Sequence, residues 1–189
     1  FDIPRTYRDT MSLSNETLIA LAGEHGTPLW IYDAAAIRRR IEQLSAFDVV
    51  RYAQKACSNI HILGEMRKAG VRVDAVSLGE VERAKRAGYA AGNASGAADV
   101  VFTADLFDRP TLERVVSDGI EVNAGSIDML RQLGERSPGH RVWLRLNPGF
   151  GHGHSNKTNT GGENSKHGIW FEKWQDAMAL VRQYSLTLV

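Results

Sequence analysis

Five short β-branched or apolar runs, each followed by a helical pattern, constrain this chain more than any other feature. They are Val49 to Ala56, Val71 to Ser77, Val100 to Ala104, Glu121 to Gly125 and Arg141 to Asn147, and their first residues lie 22, 29, 21 and 20 positions apart. Strands alternating with helices at this interval pair in parallel, because a parallel neighbour needs a long crossover and a helix is the usual one. The segments between carry matching helix punctuation. Asn59 is placed to cap a helix with the stripe Ile62, Leu63, Met66 and Ala69, closed by Gly70. Ser77 and Glu80 have capping-box spacing ahead of Val81 and Ala84, with a stop at Gly88. Leu112, Val115 and Val116 end at Gly119, and Ser126 opens a short helix with Met129, Leu130 and Leu133 that stops near Gly134. Glycine makes up 18 of 189 residues, above the norm of about 7%, and much of that excess reads as helix termination.

Ahead of the repeat, Ser14 to Gly26 reads as a helix with Leu18, Leu21 and Ala22 on one face. Leu29 to Tyr32 reads as a short strand, and Asp33 as the cap of a helix carrying Ile37, Ile41 and Leu44. Asn147 to Gly168 is a polar loop rich in Gly, His, Asn, Thr and Ser, far longer than the usual connection of about 2 to 6 residues. Leu186-Thr187-Leu188-Val189 reads as the opening of a sixth strand, so the chain is expected to be cut inside a fold. Five units and a sixth strand suit either an eight-unit barrel, normally of about 250 residues and so incomplete here, or an open doubly wound sheet. The expected division is a helix-strand-helix segment over 1–46 and a partial (β/α)8 barrel over 47–189.

Composition excludes several partners. With 23 basic against 22 acidic residues and a net charge of +1, the chain has no broad positive field for nucleic acid or an anionic membrane. A mean hydropathy of -0.28 and the lack of an apolar run of about 20 residues argue against a membrane span. Phe1-Asp2-Ile3-Pro4-Arg5 shows neither an initiator Met nor a signal-peptide pattern. The single cysteine, Cys57, rules out an internal disulfide framework, which fits a cytoplasmic setting.

In a parallel barrel the C-terminal strand ends converge on the face that holds the active site. The polar residues at those ends are Lys55, Asp74 with Ser77, Thr103, Asn123 with Ser126, and Arg145 with Asn147. Lys55 stands out because it ends a half-apolar strand. Burial of an ammonium lowers its pKa and leaves an amine able to attack a carbonyl, which suits a Schiff-base lysine. The plain alternative is a lysine that snorkels to solvent from a strand end. Asp74 and Arg145 lie in the apolar contexts Val73-Asp74-Ala75-Val76 and Trp143-Leu144-Arg145-Leu146, where an unpaired charge is costly; a buried ion pair and a catalytic role both fit. His152 and His154, with Ser155, have no Cys, Asp or Glu at ligand spacing, so no metal site is read. Gly161-Gly162-Glu163-Asn164 lacks a full phosphate-loop pattern and a following apolar helix, and Cys57 reads as packing.

These residues also carry a family resemblance. Phe47 to Asn59, containing Tyr52-Ala53-Gln54-Lys55-Ala56-Cys57, resembles the cofactor-lysine segment of the diaminopimelate decarboxylase family, within the alanine racemase-like group of pyridoxal-phosphate enzymes. The likeness continues through Gly70 to Glu80, Glu82-Arg83-Ala84, Val101 to Ala104, Val122 to Ser126 and Arg145 to Gly149. Its most specific part is the loop block: His152-Gly153-His154-Ser155, Thr158 to Gly162, and Ser165-Lys166-His167-Gly168.

The resemblance implies a (β/α)8 barrel joined to a C-terminal β-domain that this chain lacks. It implies a homodimer with active sites at the subunit interface. Lys55 would hold pyridoxal 5'-phosphate, and the reaction would turn meso-2,6-diaminopimelate into L-lysine and carbon dioxide. Asp74 and Arg145 match positions close to the cofactor, where they would act as a supporting pair that orients Lys55 and the ring hydroxyl. His154 and Ser155 would lie in a loop over the active-site mouth. The ring-stacking histidine, the glycine-rich phosphate loop, the substrate arginines and the protonating cysteine of the family are not in this stretch, so it is expected to be inactive alone. Cys57 matches a position beside the cofactor lysine and is not that cysteine. Two alternatives stay open: a fold-related decarboxylase acting on ornithine, arginine or carboxynorspermidine, and a non-catalytic pyridoxal-phosphate carrier barrel.

Overall fold

The computed structural model describes residues 12–92, 97–151, 160–163 and 165–189. Two helices, α1 (Asn15–His25) and α2 (Ala34–Glu42), lead into the repeat. Four βα units follow: β1 (Arg51–Ala53) and α3 (Ile60–Lys68), β2 (Arg72–Ala75) and α4 (Leu78–Arg86), β3 (Val100–Ala104) and α5 (Arg109–Ser117), β4 (Glu121–Ala124) and α6 (Ile127–Arg136). The fifth strand, β5 (Arg141–Leu144), gives way to two short strands, β6 (Leu146–Asn147) and β7 (Ile169–Trp170), then α7 (Trp174–Gln183) and β8 (Thr187–Leu188).

The main sheet runs β1-β2-β3-β4-β5-β8. Every pairing in it is parallel, with Tyr52 opposite Val73, Phe102 opposite Val122 and Val142 opposite Leu188. A doubly wound sheet reverses its strand order at a switch point. Here the order follows the sequence without reversal, so the sheet is a wall of a (β/α)8-type barrel, and of the two architectures open from sequence the barrel is the one observed.

Helix starts follow their caps. The side chains of Ser14, Asp33, Asn59, Ser77, Asp108 and Ser126 each accept a bond from a first-turn backbone N–H, which satisfies donors that the helix itself leaves free. In the Ser77 box the return bond reaches one residue further back, with Val76 N–H donating to Glu80 Oε2 at 2.8 Å. Period-two alternation then divides each strand. Val73, Ala75, Val100, Phe102, Val122, Ala124 and Val142 face the helices and form one core with Leu63, Val81, Val115, Leu130 and Leu133. Burial of a side chain such as Leu63 or Leu130 stabilises the fold by about 1.5–3 kcal/mol.

Three sequence expectations need correcting. Leu29 to Tyr32 forms no strand: Trp30 is 86% exposed, and the side chains packed beside β1 and α3 are Ile37 and Ile41 of α2. The run Arg141 to Asn147 is not one strand but β5 and β6, interrupted at Arg145. Gly134 does not stop α6, which continues to Arg136. It lies inside the helix, where a Cβ would overlap the Tyr184 ring, so its role is close packing at the end of α7. The helix that follows the fifth run, α7, begins only after the long loop, and Ala177 and Val181 bury its inner face.

Between β4 and β5 sits one buried histidine. His140 Nε2 lies 2.7 Å from the Ile120 carbonyl and Nδ1 3.2 Å from Ser137 Oγ. A carbonyl only accepts, so Nε2 carries the hydrogen. Burial holds the His140 pKa below its usual value, and the unfolded chain therefore takes up the proton first. Stability is fully present above about pH 6.5 and declines as pH falls below it. Urea midpoints measured between about pH 5 and 7.5 should show this decline, and His140→Gln should flatten it.

Candidate active site

At the C-terminal ends of the strands the concave face opens into a cavity of about 730 Å³. Alternation that sends apolar residues to the helices sends Arg51, Asp74, Thr103 and Asn123 into this space, and turns beyond the strand ends add Lys55, Asp105, Arg145 and His167. The structure thus gathers Lys55, Asp74 and Arg145 around one cavity. Thr103 and Asn123 join them, whereas the remaining polar residues of the strand ends serve elsewhere. Ser77 and Ser126 cap α4 and α6, and Asn147 is buried as a loop brace. Its Nδ2 donates to the Gly162 carbonyl at 2.9 Å, and its Oδ1 accepts from Gly149 and Gly162 N–H groups. His154 and Ser155 lie outside the described residues.

Lys55 is not on a strand. β1 ends at Ala53, and Gln54–Ala56 form a single 3-10 turn whose buried member is Gln54, 1% exposed. Lys55 itself is exposed at the cavity mouth, so the burial expected of its ammonium is not found. Asp74 accepts a hydrogen bond from Thr103 Oγ1 at 2.5 Å. Burial raises the Asp74 pKa above the usual carboxylate value, opposed by the Thr103 bond and by the positive charges of Lys55, Arg51 and Arg145.

The expected ion pair between Asp74 and Arg145 is replaced by another. Arg145 Nη1 lies 3.6 Å from Asp105 Oδ1, because the chain breaks from β5 at that residue and carries the guanidinium toward the turn after β3. Asp105 Oδ2 is in turn 2.6 Å from His167 Nδ1. Two glycines make this cluster possible. A Cβ at Gly125 would stand 2.5 Å from Asp105 Oδ1 and 2.8 Å from the Ala104 carbonyl. Gly168, at φ +82°, has Asn147 N within 3.0 Å of where its Cβ would be. This close approach lets the long loop return beside its own start, with Ile169 N–H donating to the Arg145 carbonyl at 2.7 Å and β6 pairing with β7.

Sequence reasoning gave no role to Asp105, His167 or Arg51. Asp105 lies one residue past the end of β3, and His167 was visible only as part of the loop block. Arg51 was hidden because it opens a strand. Burial and the neighbouring Arg72 guanidinium lower its pKa.

Arg51 Nη1 and Asp105 Oδ1, both on residues lining the cavity, are buried without a hydrogen-bond partner among the described residues, and such groups call for a polar ligand. The volume suits a small molecule, for which sites span about 300–1,000 Å³. A small molecule with a carbonyl group and charged or polar substituents fits this combination of a primary amine, a carboxylate and guanidinium groups.

The sequence over residues 34–189 matches the family model for pyridoxal-dependent decarboxylases, pyridoxal binding domain. The chain belongs to this family. Among similar proteins, the diaminopimelate decarboxylases of Streptomyces coelicolor and Escherichia coli K12 are each 62% identical, over 94% of this chain and 40% and 42% of their own lengths. A crystal structure of a diaminopimelate decarboxylase, also 62% identical, superposes with a TM-score of 0.88 over 94% of this chain and 42% of that one. The chain therefore spans about two fifths of the length of these relatives. The pyridoxal-dependent decarboxylase family accounts for the cavity's ligand class, and the residues present fit pyridoxal phosphate in its ring and carbonyl portion.

The Thr103 hydrogen bond stabilises the charged form of Asp74, so Thr103→Val should raise the Asp74 pKa further. Carboxyl-carbon NMR titration checks the direction.

Proposed function

We propose that this chain is the cofactor-binding part of a diaminopimelate decarboxylase, which converts meso-2,6-diaminopimelate to L-lysine and carbon dioxide. The supporting observation is its 62% identity to such enzymes over 94% of the chain, joined to a cavity in which Lys55 is the one lysine lining the wall among the described residues. Pyridoxal phosphate, when bound, supplies an electron sink for the pair released as a carboxylate leaves.

The residues of this chain prepare for that chemistry. Lys55 Nζ, carried on an exposed turn at the mouth, would supply the amine that holds the cofactor. Asp74 places a carboxyl group among Lys55, Arg51 and Arg145, each of which favours its ionised form, and Thr103 Oγ1 donates to Oδ1 so that the group has a fixed orientation. Arg145 is held by Asp105 rather than by Asp74, so the two residues act at the cavity wall as separate opposite charges and not as one neutralised pair. Arg51 Nη1, without a hydrogen-bond partner among the described residues, would be a donor for a polar substituent of the bound ring. By the same reading the full-length protein works in the cytoplasm as a homodimer; sedimentation as a single protomer would count against that part.

In full-length protein, Lys55→Ala should abolish the absorbance of lysine-bound cofactor; an unchanged spectrum would falsify the lysine assignment. Carbon dioxide release should occur with meso-diaminopimelate and not with ornithine. The reverse preference would move the function to a fold-related decarboxylase.

A further inference from the structure

Asp105 and His167 form a contact that the proposed function leaves unused. Their side chains are 22% and 28% exposed, and Asp105 Oδ2 meets His167 Nδ1 at 2.6 Å. His167 lines the cavity, and no hydrogen bond among the described residues engages its Nε2. A carboxylate only accepts, so Nδ1 carries the hydrogen of this bond. In the neutral imidazole, a carboxylate that fixes one ring nitrogen as the donor leaves the other as the outward-facing group, its lone pair available to a ligand. Asp105 is itself held on two sides, by the Gly125 backbone that it approaches closely and by Arg145. His167 is held by the return of the loop at Gly168. The imidazole is thus fixed both in position and in tautomer.

We propose that His167 is a ligand-binding residue of this cavity, whose Nε2 accepts a hydrogen bond from a protonated amine of the bound amino acid, with Asp105 as its positioning residue. An acceptor lone pair repels carboxylate and phosphate oxygens and selects a donor. The amino-acid nature of the ligand rests on the proposed function; the tautomer and the exposed nitrogen do not.

Two substitutions separate ligand binding from a merely structural latch. In His167→Asn the amide nitrogen falls near the Nδ1 position and keeps the bond to Asp105 while removing Nε2. In His167→Gln the amide reaches the Nε2 position and loses the bond to Asp105. The proposal expects His167→Asn, in full-length holoenzyme with meso-diaminopimelate, to raise KM about ten- to a hundredfold with a smaller change in kcat. It expects His167→Gln to recover part of that loss. A structural latch gives the opposite ranking, and an unchanged KM in His167→Asn overturns the proposal. Nitrogen NMR on ring-labelled, cofactor-free full-length protein should show His167 with hydrogen on Nδ1 and a bare Nε2. Asp105→Asn, able to donate to Nδ1, should move the hydrogen to Nε2. A hydrogen on Nε2 in the unmodified protein overturns the proposal. If Lys55→Ala loses the cofactor absorbance while His167→Asn leaves KM unchanged, only this inference fails.

Discussion

The strict alternation of side chains along parallel strands is the constraint on which the rest of this structure depends. On a strand, successive residues point to opposite faces. Each strand of a singly wound parallel sheet must therefore give one set of residues to the helices and the other to the concave side. Val73 and Ala75 fall to the helix core while Asp74, between them, falls to the cavity. In β3, Val100 and Phe102 are core residues, and Thr103 reaches Asp74 across the gap between neighbouring strands. A register shift of one residue would reverse every one of these assignments. The helix-facing residues are apolar, and a charged group among them would meet a large desolvation cost.

Charge within the cavity follows a second constraint. Arginines on the concave face need either partners or water, and the wall supplies both unevenly. Arg141 Nε donates to the buried Glu121 at 2.8 Å, and Trp143 Nε1 donates to the other oxygen of the same carboxylate. Elsewhere on this face the pairing is incomplete: Arg51 Nη1 at the start of β1 and Asp105 Oδ1 just past β3 have no hydrogen-bond partner among the described residues, and Arg145 is in ionic contact with Asp105 at 3.6 Å. The concave face thus carries both a satisfied structural network and a set of groups with spare bonding capacity. Spare capacity in a cavity is what recognition of a polar ligand requires, since a group already satisfied by the protein gains nothing from a ligand.

The fold was largely legible because its signals are local. Asn59, Ser77 and Ser126 announce helix starts, and the spacing of the five runs requires parallel pairing. Lys55, Asp74 and Arg145 were legible as cavity residues because they lie at or just beyond strand ends, where the topology alone gathers them. Their partners were not. Asp74 faced a choice between Thr103 and Arg145 that depends on where β5 breaks, and the break at Arg145 has no proline or turn dipeptide at that residue to mark it. Gly134 looked like a helix stop because its neighbour in space, Tyr184, is 50 residues away in sequence. The burial assumed for Lys55 failed for a similar reason: a 3-10 turn lifts it off the strand, and the residue that the turn buries is Gln54.

The cluster of Asp105, Arg145 and His167 shows why loop chemistry is the hardest part to read. None of its members lies on a regular element of the main sheet. Each is placed by backbone that leaves a strand, and the positions of that backbone are set by glycines whose function is the absence of a side chain. Gly125 admits Asp105 over the end of β4, and Gly168 admits the returning loop against the backbone of Arg145 and Asn147. Sequence shows a glycine at each position but not which atom will approach it. The sheet therefore fixes where a cavity must be, whereas close backbone approaches outside the sheet decide which polar atoms are offered inside it. A family could vary the second without disturbing the first.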